Sequence, residues 1–188
     1  MKINGRLILF TIILVALATI CKFFFGPSLS WSGFSPVIAI ALFSGFIIKQ
    51  KDAAFLFPLL AVLISDLAIQ GLYELNAFPY AGIYSGQWKN YLILFTATLI
   101  GWALKGRKTT SLIIGAIAAP TVFFLISNFN VWMSQEVMYP KNFNGLMQCY
   151  AAGLPFYRNA LIAAFVFLPV ILVTYNYLMR NKPVLTVA

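Results

Sequence analysis

Histidine is absent from this chain and acids are scarce: of 188 residues only Asp52, Asp66, Glu74 and Glu136 are acidic. Without an imidazole there is no His general acid or base, no zinc-peptidase motif and no His-ligated haem. The two cysteines, Cys21 and Cys149, make neither a disulfide framework nor a CxxC metal site. There is no Walker A motif, so the chain does not itself supply ATP hydrolysis. No internal repeat and no low-complexity segment divides it, which reads as a single domain over residues 1–188.

Charge is also scarce. Charged residues make up 9% and hydrophobic residues 62%, with a mean hydropathy of +0.90, against roughly 25% and 45–50% in a soluble domain. With 18 Phe, 9 Tyr and 4 Trp, that much apolar surface does not fit inside one soluble core. A soluble enzyme and a disordered chain are both excluded, and the lipid bilayer becomes the first partner. Lys and Arg number 13 and set the net charge at +9. No basic run exceeds the few residues around 105–108, so the excess reads as loop charge and nucleic acid is not a partner.

Breaks in the apolar pattern predict an all-α membrane protein with six transmembrane helices, at about 7–25, 35–48, 53–69, 91–104, 110–127 and 159–179. Ser35 is placed as the N-cap of the second, with Pro36 at its first helical position. Pro58, Pro120 and Pro169 fall inside spans, where neighbouring helices satisfy the freed carbonyls. If the N-terminus is cytoplasmic, Lys2, Arg6, Lys49, Lys51, Lys105, Arg107, Lys108, Arg180 and Lys182 lie inside. Only Lys22, Lys89, Lys141 and Arg158 then lie outside. The positive-inside rule puts both termini of a multi-pass membrane protein in the cytoplasm. The first apolar run continues through Lys22-Phe23-Phe24-Phe25, as a retained helix does and a cleaved signal peptide does not.

Aromatic and amide residues gather in the outer segments 70–90 and 128–158. Within the second, Phe143, Leu146, Met147, Tyr150, Ala151 and Leu154 recur at helical spacing, which predicts a short amphipathic external helix over 142–154. Two readings stand side by side. The aromatics form a belt at headgroup depth with the amphipathic helix lying on the membrane, or they line an external site for a planar or amphipathic small molecule. On the second reading the candidate ligand-binding residues are Trp88, Asn128, Asn130, Trp132, Tyr139, Tyr150 and Arg158, with the 142–154 helix as a lid.

Asp66 is the sharpest single residue. Counted at ~1.5 Å per residue from Ala53, it lies ~20 Å across a ~30 Å core, where a bare carboxylate costs several kcal/mol. Lys22 reaches the same depth and is its natural partner, with Arg158 the alternative. A buried ion pair, an Asp facing water, proton or cation coupling and direct ligand contact all remain open. Cys149, near Met147 and Met138, is a weak candidate for a soft-metal contact and otherwise a small apolar residue. Small-residue spacings at Gly115 and Ala119, and at Ala160 and Ala164, predict close helix packing, inside the bundle or against another subunit.

Several longer strings carry a resemblance: Ser35-Pro36-Val37-Ile38-Ala39-Ile40-Ala41-Leu42-Phe43-Ser44-Gly45, Phe57-Pro58-Leu59-Leu60-Ala61-Val62-Leu63-Ile64-Ser65-Asp66-Leu67, Ser127-Asn128-Phe129, Met138-Tyr139-Pro140 and Leu154-Pro155-Phe156-Tyr157-Arg158-Asn159. Together they resemble an uncharacterised bacterial family of six-helix membrane proteins described as transport proteins, over nearly the whole chain. In size, helix layout and an external site roofed by loops, the chain is also similar to the substrate-binding S-components of energy-coupling factor vitamin transporters. The S-component docking pattern Ala-x-x-x-Ala is missing from the first helix, where Ala16 is followed four later by Ile20 and Ala18 by Lys22. Cys149 invites comparison with the cysteine of cobalamin-binding S-components, which makes cobalamin one candidate. The resemblance implies vitamin-like solute uptake across the inner membrane, alone or with a membrane partner subunit or motor complex. The alternative is an accessory or assembly subunit that binds a protein through its external loops. No enzyme activity and no cofactor are expected, because one membrane Asp lacks the paired group that acid–base catalysis needs.

Overall fold

The computed structural model describes residues 5–48, 51–107, 110–134 and 138–178. Both termini lie outside the described residues, as do Lys2, Lys49, Lys108, Gln135, Glu136, Met179, Arg180 and Lys182. The described residues form six helices and no strands: α1 (Gly5–Phe25), α2 (Val37–Ile47), α3 (Lys51–Glu74), α4 (Gln87–Ala103), α5 (Ser111–Met133) and α6 (Phe143–Leu178).

Four of these, rather than all six, are long and apolar enough to cross a membrane: α1, α3, α5 and α6. Helix α2 has 11 residues and α4 has 17, or about 17 and 26 Å of rise. The six expected helices are all present, and these two are the short ones, as the breaks in the apolar pattern predict. Helix α2 is enclosed by its neighbours. Every residue from Ile38 to Ile47 is buried, and the helix is packed by α3, α4, α5 and α6. A helix that is apolar all round belongs in a core. By contrast α1, α3, α5 and α6 leave Ile8, Ile12, Leu56, Leu60, Ile113, Ile114, Val166 and Val173 exposed. Such broad apolar surface suits a lipid solvent and would be a liability in water.

The core is built around α2. Phe10 of α1, Phe43 of α2 and Tyr175 of α6 form a three-way aromatic cluster, with ring centroids 5.2–5.6 Å apart, a spacing that suits edge and tilted contacts. Helices α2 and α4 approach backbone to backbone. A Cβ on Gly45 would stand 2.0 Å from the Thr98 carbonyl oxygen, and one on Gly101 2.1 Å from that of Leu42. Gly115 and Ala119 are buried inside this bundle, Gly115 against Leu42 and Leu104. Thr98 contributes a buried hydroxyl with no hydrogen-bond partner. Because an unsatisfied buried hydroxyl is penalised and Val has nearly the same shape, Thr98→Val is expected to raise stability by ~1 kcal/mol. Chemical denaturation in detergent measures this, and a loss of 1 kcal/mol or more would contradict it.

Three expectations change at the end of the bundle where α1, α3 and α5 finish. Helix α2 starts one residue late, with Pro36 as N-cap and no side-chain capping bond, and the Ser35 hydroxyl is buried and unpaired. Helix continues into the segments 70–90 and 128–158: α3 runs on to Glu74 and α5 to Met133, which leaves 75–86 and 134–142 between helices. Polar residues beyond the apolar run can prolong a helix past the lipid, so hydropathy alone stops it too early. The separate amphipathic helix over 142–154 is corrected as well. It is the first third of the 36-residue α6, about 54 Å long, and it continues through Pro155. It lies along α5, with Cys149 Sγ donating to the Asn128 carbonyl at 3.3 Å and Gly153 against the Asn128 side chain. Its buried side is that of Gly145, Cys149 and Gly153, whereas Phe143, Met147 and Leu154 of the apolar face stay exposed.

Candidate functional site

A cavity of about 660 Å³ opens at the end where α1, α3 and α5 finish, and all six helices or their connections line it. Its volume falls within the roughly 300–1,000 Å³ of small-molecule sites. The two sides of its wall differ in chemistry.

One side is polar and comes from α1, α3 and α4. Lys22, in the last turn of α1, forms an ion pair with Asp66 Oδ1 and donates to Ser65 Oγ at 2.6 Å. The Ser65 hydroxyl uses its own proton on the Val62 carbonyl, one turn back at 2.7 Å, and can therefore only accept from Lys22. Asp66 Oδ2 accepts from Gln87 Nε2 at 2.6 Å and from the Tyr91 hydroxyl at 2.5 Å. Gln87 and Tyr91 are four residues apart on α4, so the first turn of that helix presents both to one carboxylate. Asp66 is 5% exposed, and three donors meet the requirement that a buried charge be paired and hydrogen-bonded.

Gln87 also fastens the 75–86 connection to this cluster. Its second amide hydrogen goes to the Gly82 carbonyl at 3.0 Å and its Oε1 accepts the Tyr84 N–H at 3.1 Å. Gly82 lies directly on α3, where a Cβ would be 2.1 Å from the Asp66 carbonyl oxygen. Tyr80 and Tyr84 of this connection line the cavity. Burial, reinforced by the nearby Asp66 carboxylate, pushes both phenols above their ordinary value, although a hydrogen bond from Asn90 partly offsets this at Tyr84. Both remain neutral at physiological pH.

The other side is aromatic and comes from α5 and α6. Phe123, Phe124, Phe156 and Tyr157 line it, with Pro120 and Ala160. The Phe124 and Tyr157 rings stack with centroids 4.8 Å apart, and the Tyr157 hydroxyl is fixed by Thr121 at 2.8 Å. Between the two sides, the 26–36 connection contributes Ser32, Gly33 and the unpaired Ser35 hydroxyl. Asn159 holds that connection in place, donating to the carbonyls of Ser30 at 2.8 Å and Ser32 at 2.9 Å.

The candidates named from sequence are divided by the structure. Lys22, Asp66 and Asn128 line the cavity; Trp88, Asn130, Trp132, Tyr139, Tyr150 and Arg158 are not part of its lining. Trp88 is 59% exposed with Lys89 over its ring, and Trp132 donates to the Pro140 carbonyl at 2.9 Å on the far part of α5. Tyr150 bonds the Leu125 carbonyl at 3.0 Å, joining α6 to α5. Arg158 is exposed and reaches Asn159 Oδ1 at 3.4 Å. Tyr139 alone sits in a connection. Cys149 is buried against α5, and among the described residues no group of three or more His, Cys, Asp and Glu side chains comes together.

Sequence reading missed Ser35, Ser65, Tyr91, Phe123, Phe124 and Phe156. A usable signal existed for Tyr91, which shares a helical face with Gln87 and Leu94. None existed for the phenylalanines, since an apolar residue on a membrane helix looks the same whether it faces lipid or a cavity. The site offers an ion pair whose carboxylate is already satisfied, a few uncommitted hydroxyls and an aromatic wall. That arrangement can bind and orient a small molecule. No curated protein and no solved structure matches the chain. One family model does, over residues 1–185, and the chain therefore belongs to DUF6580, a family of unknown function.

Proposed function

We propose that this protein captures a small, vitamin-like organic solute in the cavity from the outer face of the bacterial inner membrane and carries it inward. The observation that supports this reading most is the 660 Å³ cavity with a polar side and an aromatic side, since stacking and directed hydrogen bonds together select a small organic molecule. The cation distribution supports an outward-facing mouth. Nine of the thirteen basic residues belong to the sequence segments that the positive-inside rule assigns to the cytoplasm. Movement would follow from alternating exposure of the bundle, alone or with a partner subunit that hydrolyses ATP, as the resemblance to S-components suggests.

A thermal-shift screen of vitamins and related cofactors on the detergent-purified protein tests the binding step. A stabilising compound is expected, and its affinity should fall about 5–150-fold in Phe124→Ala and in Asn128→Ala, the equivalent of ~1–3 kcal/mol for a lost stacking or amide partner. A compound bound equally well by both variants would place its site elsewhere.

A further inference from the structure

Among the described residues that line the cavity, Lys22 is the only cation and Asp66 the only anion, yet they are not equally available. Asp66 accepts from Lys22, Gln87 and Tyr91, so its oxygens are largely committed. An ammonium group has three hydrogens, and Lys22 directs two of them, to Asp66 and to Ser65. Its third remains for the cavity, where the Lys22 side chain is 22% exposed. The buried Ser35 hydroxyl is a further unpaired group on the same wall. The remaining polar groups there are amides and hydroxyls without charge.

This asymmetry selects the sign of the ligand. A cationic solute would meet the Lys22 ammonium with no free carboxylate to neutralise it, and burying such a charge unpaired is unfavourable. A carboxylate would accept a charge-assisted hydrogen bond from Lys22. The stacked pair of Phe124 and Tyr157 faces the same space and suits a flat ring. Resting on the reading of this cavity as a solute site, we infer that its ligands are planar molecules bearing a carboxylate, which Lys22 holds while the ring lies against α5 and α6.

Three matched probes test the inference by calorimetry on the full chain in detergent: 2-naphthoate, 2-naphthamide and 2-naphthylmethylammonium. The naphthoate is expected to bind at least about tenfold more tightly than the ammonium compound, with the amide between them. In the Lys22→Met/Asp66→Asn double variant, which removes both charges, the preference should shrink to within about threefold while the ring still binds. Equal or tighter binding of the ammonium probe, or a full preference persisting in the folded double variant, would overturn the inference and leave the solute site standing. Binding of none of the three would overturn both. If the double variant does not fold, the ranking in the parent protein decides alone.

Discussion

Asp66→Asn and Lys22→Met are each expected to lower stability in detergent by ~3–5 kcal/mol, and the double variant by much less than the sum. The reason lies in what each single change leaves behind. Lys22→Met leaves a carboxylate that is 5% exposed with only the neutral donors Gln87 and Tyr91. Asp66→Asn leaves the ammonium without a counter-charge, and replaces one of the two accepting oxygens by an NH₂ that faces groups that are themselves donors. Removing both charges takes away the uncompensated partner in each case. Thermal or denaturant unfolding of the four proteins supplies the double-mutant cycle. Strictly additive losses would show that the pair is not coupled.

The second large effect is expected at the contact between α2 and α4. Gly45→Ala and Gly101→Ala should each destabilise by ~3 kcal/mol, above the usual middle of overpacking effects, because the obstruction is backbone. The nearest atoms to a Cβ on Gly45 are the Thr98 carbonyl oxygen at 2.0 Å and the Trp102 nitrogen at 2.8 Å, and neither can rotate away as a side chain could. The two helices would have to separate. Since α4 also carries Gln87 and Tyr91, solute affinity should fall together with stability. Gly71 provides the contrast. It is an exposed residue inside α3 whose Cβ would meet nothing within 4 Å, so Gly71→Ala should gain ~0.5–1 kcal/mol from helix propensity. If Gly45→Ala and Gly101→Ala unfolded at the same denaturant concentration as the parent, the close approach of α2 and α4 would be refuted.

How far the fold could be read from the sequence depended on which physical signal each element leaves. Helices α1, α3, α5 and α6 announce themselves by long apolar runs, and the equal depth of Lys22 and Asp66 is simple arithmetic on helix rise. The burial of α2 was hidden, because in a membrane protein a core helix and a lipid-facing helix are equally apolar. Composition misled at the cavity end. Trp88 and Trp132 drew attention as aromatics in polar segments, yet the cavity's aromatic side is made by Phe123, Phe124 and Phe156 within or beside apolar runs. Asn128, Asn130 and Trp132 were read as loop residues although α5 continues to Met133, and Tyr150 and Arg158 likewise belong to α6. The unpaired Ser35 hydroxyl depended on where α2 starts, and a one-residue shift of the cap decided it.

The central claim is that the cavity holds a small organic solute. Native mass spectrometry of the protein, extracted from its own membrane in mild detergent, tests that most directly when run beside Ala160→Trp. Ala160 lines the cavity on the aromatic side, and an indole there would occupy the space a ligand needs while leaving the Lys22–Asp66 cluster in place. The account predicts a single bound small molecule in the parent protein that is missing from an equally folded Ala160→Trp variant. No bound small molecule in the parent, or the same one retained in the variant, would contradict it.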